Sequence, residues 1–474
     1  MFWEGALTKR YNVVFIMTDQ QRWDMLGCYG SAWMHTPNLD RLAASGCRFN
    51  AAYTTSPVCT PARAGLFTGM YPSSSGAAAN QLSPHRHVEF LGDVLTRGGV
   101  AAGYVGKWHL CGPQGKYYGD GRCEGGFLPE YWYDGKNFID DVGQDGFARW
   151  RAGRGLAESD CWGGRVADRA VRFLAERHKQ PFVLVVSLDE PHGPCSAPEH
   201  FYKLYEGTTR PWQANMADNL EGKPATQRAF LVGHPGGQVP PGQDLNNSPR
   251  YYGTASFADH QIGRIIDAVD ELCGDDTAVI FTTDHGDHQG AHGLLGKGPT
   301  MYEEVIRVPL LVRAPGLTRP GSVCDSLVSH IHLAPTICAL AGVQRHPQFQ
   351  GADAMPLLAD PAARITDAVF LEYNRFGLPH THWWGCMPIR CIRTESRKLA
   401  VNLLDFDELY DLSDDGGEMV NRIHEPAMAE MRDRLHDRLL TWQEERLDPF
   451  RGQGWWARPW RPGHSLDPRP PAAH

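Results

Sequence analysis

Two apolar segments that end in acidic and polar residues constrain the fold of this chain more than any other feature. Residues 12–20 form a largely apolar run that ends in an Asp-Gln pair, and residues 277–285 form a second run that ends in an Asp-His pair. Apolar runs of this length are typical of strands buried on both faces of a parallel sheet. Because the carboxyl ends of parallel strands share one edge, we expect the two polar pairs to lie together.

The rest of the first 360 residues alternates between strand and helix patterns. Further strands are predicted at residues 103–105, 182–187 and 308–313, and helices at residues 36–44, 164–177, 251–272 and 330–340. Such alternation predicts a sheet covered by helices on both faces. The predicted fold class is therefore α/β, with a large mixed, mostly parallel sheet sandwiched by helices.

The sequence pattern changes after about residue 360. Short strands are predicted at residues 368–372, 389–393 and 398–402, followed by one charged helix at residues 425–446. We therefore divide the chain into a catalytic α/β domain (1–360), a C-terminal α+β subdomain with a small antiparallel sheet and a helix (361–450), and an extended tail rich in Pro, Arg and Trp (451–474). The tail is expected to be either an arm that docks in a homo-oligomer or a disordered end.

Composition excludes several classes of partner. The chain has 46 basic and 55 acidic residues and a formal charge of −9, so it lacks the basic excess that nucleic-acid binding needs. Its 12 cysteines have neither zinc-site spacing nor the density of a disulfide framework, which favours a reducing compartment. The N-terminal region has no apolar segment long enough for a signal peptide or membrane span. We expect a cytoplasmic protein without a membrane partner.

The most informative short motif is Cys59-Thr-Pro-Ala-Arg63, continued by Ala-Gly-Leu-Phe-Thr-Gly69. It resembles the signature of the type I, formylglycine-dependent sulfatases of the alkaline phosphatase superfamily: Cys or Ser, any residue, Pro, any residue, Arg, then a Leu/Phe-Thr-Gly element. The resemblance extends from Asn12 to about Leu412 in the family's order of motifs. It implies an alkaline phosphatase-like catalytic domain with a smaller C-terminal domain.

The resemblance implies that Cys59 is the precursor of the nucleophile. In that family a separate formylglycine-generating enzyme oxidises the cysteine to formylglycine, whose hydrated form is a geminal diol. After one hydroxyl has accepted the sulfate, the second can expel it by reforming the aldehyde, and a thiol cannot do this. The expected cofactors are this modification and one divalent metal ion.

The metal ligands implied by the resemblance are Asp19, Gln20, Asp284 and His285, together with Cys59 in its modified form. Sulfatases more often carry Asp-Asp and Asp-Asn at these two pairs, so the glutamine and the histidine are departures. Ca²⁺ is the favoured ion, because the family implies it. Mn²⁺, which an imidazole ligand suits better, and Mg²⁺ are the alternatives. The nearby residues 287, 288 and 292 are candidates for orienting a metal ligand or contacting substrate, and a structural role is the favoured interpretation.

Five further residues match catalytic positions of the family. Arg63 is expected to hold the hydrated aldehyde, Lys107 and Lys297 to bind sulfate and bridging oxygens, and His109 to remove a proton in the elimination step. His192 is expected to contact the sulfate and assist the leaving oxygen. Cations neutralise charge on the transferring group, and a histidine can transfer the proton.

Substrate contacts are predicted less directly. Asn80 lies where the phosphonate monoesterase branch of the superfamily has a substrate-contacting Asn, and His382, Trp383 and Arg390 are candidates for the substrate rim. Indole faces can stack on sugar or aryl rings, and a guanidinium can bind an additional anionic group.

Three functions are consistent with these residues. The first is a sulfuric ester hydrolase that cleaves a sugar or aryl sulfate monoester, which is a small anionic ester. The second is a phosphonate monoester hydrolase or phosphodiesterase, because that branch shares the Asp-Gln and Asp-His metal set. The Lys107-Trp-His109 element favours the sulfatase. The third is a non-catalytic anion binder, which applies if Cys59 stays unmodified.

Overall fold

The computed structural model describes residues 9–110, 117–233, 248–377 and 385–464. The strands are β1 (Asn12–Asp19), β2 (Cys47–Tyr53), β3 (Ala101–Gly106), β4 (Phe182–Pro191), β5 (Thr277–Thr283), β6 (Arg307–Arg313), β7 (Ser322–Cys324), β8 (Val328–Ser329), β9 (Ala368–Tyr373), β10 (Ile389–Thr394), β11 (Arg397–Asn402) and β12 (Glu408–Asp411). The helices are α1 (Pro37–Ser45), α2 (Cys59–Thr68), α3 (Pro72–Ser75), α4 (Leu91–Arg97), α5 (Gly135–Ala152), α6 (Trp162–Arg177), α7 (Glu199–Lys203), α8 (Ala225–Gly233), α9 (Pro249–Leu272), α10 (Glu303–Ile306), α11 (Leu333–Leu340), α12 (Met355–Ala359), α13 (Ala429–Glu445) and α14 (Gln453–Trp456).

The larger sheet has the strand order β3-β4-β1-β5-β6-β2-β7, and β8 also pairs with β2. Strand β1 is parallel to both of its neighbours, β4 and β5. Strand β6 is antiparallel to β5 and to β2. The prediction of a mixed, mostly parallel sheet is therefore confirmed.

Both faces of this sheet are buried, which explains the continuous apolar runs. Along β1, Val13 and Phe15 belong to one core, together with residues of α2, α4 and α11. The alternate residues Val14 and Ile16 belong to a second core on the other face, which α1, α6 and α9 cover. Successive side chains of a strand point to opposite faces, so a strand between two helix layers needs apolar residues at every position.

The C-terminal region forms a second sheet of four antiparallel strands in the order β12-β11-β10-β9. Leu435 and Leu439 of α13 share a core with Ile392 and Leu399 of this sheet. The predicted smaller α+β domain is confirmed. Within the described residues, no helix is both long enough and apolar enough to cross a membrane.

The tail is folded as far as residue 464 rather than extended. Arg458 donates to both carboxylate oxygens of Asp407, each at 2.8 Å, and the indole nitrogen of Trp460 donates to the same carboxylate at 2.8 Å. Arg461 donates to Asp437 of α13 at 2.6 Å. The tail residues therefore find partners on their own C-terminal domain, which the composition alone could not show. The last part of the predicted tail, residues 465–474, lies outside the described residues.

Candidate active site

The site lies where β1 and β5 end at the same edge of the large sheet. Thr18 pairs with Thr283 in the parallel ladder, so the next residues, Asp19 and Asp284, come side by side. Both aspartates are fully buried. Ligand atoms of four residues lie within 4.8 Å of one another: Asp19, Cys59, Asp284 and His285. The structure thus brings together the two polar pairs and the cysteine of the motif.

Cys59 is the first residue of α2 and faces this cluster. Its Sγ lies 3.2 Å from Nε2 of His285 and 3.8 Å from Oδ1 of Asp19. Burial, reinforced by the charge of Asp19, raises the pKa of the Cys59 thiol to about 12. An unmodified thiol in this position stays protonated near neutral pH, and it is the thiolate that acts as a nucleophile.

Arg63 lies one helical turn after the cysteine and joins the two aspartates. Its guanidinium donates to Oδ2 of Asp284 at 2.9 Å and to Oδ2 of Asp19 at 3.0 Å. It also donates to the backbone oxygen of Lys107 at 2.7 Å. Residues four apart share one face of a helix, so the spacing of the motif places the cysteine and the arginine on the same cluster.

The charges of the cluster suit a divalent cation. Burial and the neighbouring Asp19 raise the pKa of Asp284 to about 7. Burial alone would also raise the pKa of Asp19, but Lys107 and the surrounding cationic groups hold it well below its usual range. His285 is neutral because burial lowers its pKa, and its Nδ1 lies 2.8 Å from the oxygen of Gly286. A proton on Nδ1 leaves the lone pair of Nε2 facing the cluster, as metal ligation requires.

Gln20 is held in place by four hydrogen bonds, one of which its backbone oxygen accepts from the hydroxyl of Tyr251 at 2.6 Å. Its backbone nitrogen donates to Oδ1 of Asp284 at 3.1 Å, and its side-chain oxygen accepts from Nζ of Lys297 at 2.5 Å. Its side-chain nitrogen donates to the carboxylate of Asp287. Asp287 therefore orients the amide of Gln20, which is the role of a group behind a metal ligand rather than the structural role favoured for residue 287.

Lys107 follows β3 and brings a buried cation to the same edge. Its Nζ lies 2.8 Å from Oδ2 of Asp19 and 2.9 Å from Oδ1 of Asp189. The ring of Tyr117 covers the ammonium group at 3.8 Å. Burial by itself lowers the pKa of Lys107, but the two aspartates outweigh it and the pKa is raised, so the lysine stays charged.

The two predicted catalytic histidines lie beside these groups. Nε2 of His192 is 4.0 Å from Oδ1 of Asp19, and its Nδ1 is 2.8 Å from the hydroxyl of Tyr117. Neither ring nitrogen of His109 has a hydrogen-bond partner among the described residues, although the residue is only 2% exposed. Burial and the nearby cations hold the pKa of both histidines well below the usual range. The ring of His109 is thus available for a bound ligand.

The sequence analysis missed two residues of this site, Asp189 and Tyr117. Asp189 contacts Lys107 and stands three residues before His192, near the end of β4. Polar residues at the ends of predicted strands had already identified Asp19 and Asp284, so the same signal could have identified Asp189. Tyr117 lies in an irregular segment, and no local pattern predicts its contacts.

Of the predicted substrate-contacting residues, Asn80 and Arg390 lie within the described part of the chain. The side-chain oxygen of Asn80 accepts a hydrogen bond from the backbone nitrogen of Thr60 at 2.9 Å, so it anchors the start of α2. His382 and Trp383 lie outside the described residues.

Arg390 is not at a rim in this structure, in contrast to the prediction. It is fully buried and donates to both carboxylate oxygens of Asp448, to one of them at 2.9 Å. It also donates to the side-chain oxygen of Asn374 at 2.8 Å. A buried guanidinium requires a paired carboxylate, and this pairing places Arg390 inside the C-terminal domain.

The chain belongs to the sulfatase family. A family model described as "Sulfatase" matches residues 11–343, and one described as "N-sulphoglucosamine sulphohydrolase, C-terminal" matches residues 290–445. Together with the alkaline phosphatase-like fold, this membership establishes a hydrolase that acts on sulfate esters.

Similar proteins include two relatives that the chain matches over most of its length. It is 38% identical to the uncharacterized sulfatase YidJ of Escherichia coli, over 96% of this chain and 91% of the relative. It is 26% identical to an N-acetylglucosamine-6-O-sulfatase of Bacteroides thetaiotaomicron, over 93% of this chain and 88% of the relative. A phosphonate monoester hydrolase of Agrobacterium radiobacter has a similar solved structure, with a TM-score of 0.77 and 25% identity over 93% of this chain and 96% of that one.

Proposed function

We propose that this sulfatase hydrolyses a sulfate monoester through a formylglycine formed from Cys59. The observation that carries the proposal is the position of Cys59, buried at the start of α2 and in contact with Asp19 and His285. Its raised pKa argues against thiolate catalysis, whereas a hydrated aldehyde needs no thiolate. The proposal requires a formylglycine-generating maturation enzyme as a partner.

Asp19, Asp284, His285 and the side-chain oxygen of Gln20 would hold the divalent cation. When bound, such an ion supplies positive charge that stabilises anionic oxygens of the nucleophile and the sulfate. We favour Mn²⁺ over the family's Ca²⁺ and over Mg²⁺, because the neutral Nε2 of His285 faces the cluster and imidazole suits a transition metal better than a hard cation.

The remaining residues have separate tasks in this proposal. Arg63 orients the aspartates and holds the hydrated side chain of residue 59. Lys107 and Lys297 bind oxygens of the sulfate. Their ammonium groups lie 2.8 Å and 3.8 Å from carboxylate oxygens of Asp19, so both cations are beside the cluster where the sulfate would bind. His192 delivers a proton to the leaving oxygen as an imidazolium, a form that the negative charge of the bound sulfate ester would favour. His109 removes a proton from the second hydroxyl of the diol.

The proposed substrate class is an O-sulfated sugar. The named activity of the Bacteroides thetaiotaomicron relative supports a sugar sulfate. Two observations support the competing activity on phosphonate monoesters or phosphate diesters. One is the presence of glutamine at position 20 and histidine at position 285, and the other is the similar structure of the Agrobacterium radiobacter phosphonate monoester hydrolase. Sulfate monoesters and phosphate diesters each carry one negative charge on a tetrahedral centre, so a single pocket can act on both.

Parallel turnover assays test this proposal on protein co-expressed with a maturation enzyme. The substrates are N-acetylglucosamine 6-sulfate, 4-nitrophenyl sulfate, a phosphate diester and a phosphonate monoester, and Cys59→Ala is the inactive control. We expect the highest kcat/KM with the sugar sulfate. A preference for the phosphorus esters by orders of magnitude would reject the sulfatase as the main activity.

Mass spectrometry of the tryptic peptide that contains residue 59 tests the modification directly. We expect the mass of formylglycine and loss of the alkylatable thiol. A fully alkylatable Cys59 in active protein would contradict the proposal, and in inactive protein it would favour the anion binder.

We also propose that the protein resides in the cytoplasm. The 11 cysteines in the described part of the chain are all unpaired, and six of them are buried. This number of cysteines without disulfide bonds is typical of proteins in a reducing compartment. Fractionation of the native host tests this proposal, and recovery of the protein from an oxidising compartment would contradict it.

A further inference from the structure

A second group of buried ligand atoms lies on the far side of the loop that follows β5. Ligand atoms of His292, Glu304 and Glu418 lie within 4.8 Å of one another, and all three residues are buried. His292 belongs to the loop after β5, Glu304 to α10, and Glu418 to the C-terminal domain. None of these residues belongs to the formylglycine site.

The orientation of His292 is that of a metal-binding histidine. Its Nδ1 lies 2.6 Å from a carboxylate oxygen of Asp218, so the proton on Nδ1 is donated to this oxygen. The lone pair of Nε2 then faces Oε2 of Glu304 at 3.8 Å and the side-chain nitrogen of Asn215 at 3.4 Å. The ring is stacked on Tyr302, with centroids 3.6 Å apart. In many metal sites of proteins, one ring nitrogen of a histidine donates to a carboxylate and the other ring nitrogen binds the metal together with further carboxylates. Asp218 is placed for the first role, and Glu304 and Glu418 for the second.

Two buried oxygens at this point lack partners. Oε2 of Glu304 has no hydrogen-bond partner within the described ranges, and neither has Oδ1 of Asn215, whose side-chain nitrogen binds Oε1 of Glu304 at 2.6 Å. The two residues are 9% and 5% exposed. Buried acceptors without donors are costly, so a proton donor or a cation is expected between them.

Basic side chains already pair with the other carboxylates of this cluster. Lys223 pairs with Asp218, Arg393 and Lys398 pair with Glu303, and Lys398 also pairs with Glu418. Within the described residues, the carboxylate of Glu304 has no lysine or arginine in ion-pair contact and, among basic residues, faces only His292. A cation beside Glu304 would balance this carboxylate.

We propose that His292, Glu304 and Glu418 bind a second divalent cation, a first-row transition ion such as Zn²⁺. One imidazole and two carboxylates are a ligand set that Zn²⁺ accepts. The side-chain nitrogen of Asn215 faces His292 and Glu304, and a half-turn of this amide would bring its unpartnered oxygen to the site as a fourth ligand. This site is independent of the chemistry of residue 59.

The role of this ion is structural, because it joins three separate parts of the chain. Asp218 and Asn215 belong to the segment before α8, and Glu418 belongs to the C-terminal domain. The backbone oxygen of Glu304 accepts from the nitrogen of Asp287 at 3.1 Å, and Asp287 orients Gln20. The cation would therefore hold the loop that supports the first metal site.

Metal analysis of the holoprotein tests the proposal. After exhaustive dialysis against metal-free buffer, we expect two divalent ions for each wild-type chain. His292→Gln and Glu304→Gln should each lose the transition ion, and Asp284→Asn should lose only the other ion. His332→Gln, which replaces a buried histidine outside both clusters, is the matched control and should retain both.

Anomalous diffraction from wild-type crystals decides the question even where the variants fold poorly. We expect a peak at the zinc absorption edge about 2.0–2.1 Å from Nε2 of His292. A single ion that Asp284→Asn removes completely would overturn the proposal. A map without a peak at His292 would also overturn it.

Discussion

The hydroxyl of Tyr117 lies 2.8 Å from Nδ1 of His192 and also donates a hydrogen bond to the carboxylate of Asp189. Because the hydroxyl proton points to Asp189, the hydroxyl oxygen can accept the Nδ1 proton of His192, which it shares with the backbone oxygen of Gly193 at 2.8 Å. Nε2 of the imidazole then faces Asp19 and the proposed sulfate pocket. The orientation of a predicted catalytic histidine thus depends on a residue outside the sulfatase signature.

Tyr117→Phe should slow the hydrolysis of esters with poor leaving groups. Loss of this hydrogen bond leaves His192 less well oriented, and a bond of this kind is worth about 1 kcal/mol, or roughly fivefold to tenfold in kcat. Turnover of 4-nitrophenyl sulfate should change less, because its leaving group needs less protonation. A series of sulfate esters with increasing leaving-group pKa measures the effect.

Tyr118→Phe is the matched control, since it removes the neighbouring hydroxyl. It should leave the dependence on leaving-group pKa unchanged. An equal loss on every ester for Tyr117→Phe would show that its hydroxyl does not act through His192.

Arg63→Met should destabilise metal-free protein strongly. The substitution leaves two fully buried carboxylates, Asp19 and Asp284, without the guanidinium that pairs with both. Removal of one partner from a buried ion pair costs about 3–5 kcal/mol. The free energy of unfolding from urea titration in chelator measures this effect.

Arg41→Met provides the comparison, because its ion pair with Asp267 is solvent-exposed. Such pairs contribute about 0–1 kcal/mol. If Arg63→Met were no more destabilising than Arg41→Met, the buried ion pairs would not have the energetic role that the structure implies.

Glu190→Gln should remove part of the pH dependence of stability. Glu190 is 3% exposed, and burial, with Asp189 nearby, raises its pKa to about 7. A carboxyl whose pKa is raised on folding contributes stability below its unfolded pKa, near 4.5, and loses it as the pH rises through 7. Each pKa unit corresponds to about 1.4 kcal/mol.

Urea titrations between pH 4.5 and pH 8.5 measure this difference. The neutral amide should make the variant more stable than the wild type at high pH and similar to it at low pH. Glu199→Gln, at an exposed carboxyl, should follow the wild type. A constant difference between Glu190→Gln and the wild type at all pH values would contradict the raised pKa.

His285→Asn should change the metal preference of the formylglycine site. Replacement of the imidazole by an amide oxygen makes the ligand set all-oxygen, which suits Ca²⁺ better than Mn²⁺. We expect the affinity for Mn²⁺ to fall by roughly tenfold or more and that for Ca²⁺ to be retained. Calorimetric titration of metal-free protein measures both constants.

His332→Asn is the control for this substitution, as residue 332 lies outside the cluster and should leave both affinities unchanged. An unchanged affinity of His285→Asn for Mn²⁺ would exclude His285 as a ligand.

Much of the fold could be predicted because its signals are local. The apolar runs that became β1 and β5 agree with the structure to within one residue at each end. Strand β2 and helix α2 were not predicted as elements. Residues 47–53 mix polar and apolar types, and α2 is buried at all ten positions, so it has no amphipathic pattern.

By itself, the sequence determined the sheet, the chemistry at its edge and the family, because adjacent residues carry those signals. Only the tertiary structure decided which buried charges pair. Arg390 was expected at a substrate rim, yet its partner Asp448 lies 58 residues away, and Tyr117 reaches His192 across 75 residues. A buried charge takes the partner that shares its desolvated space, and the packing of distant segments creates that space.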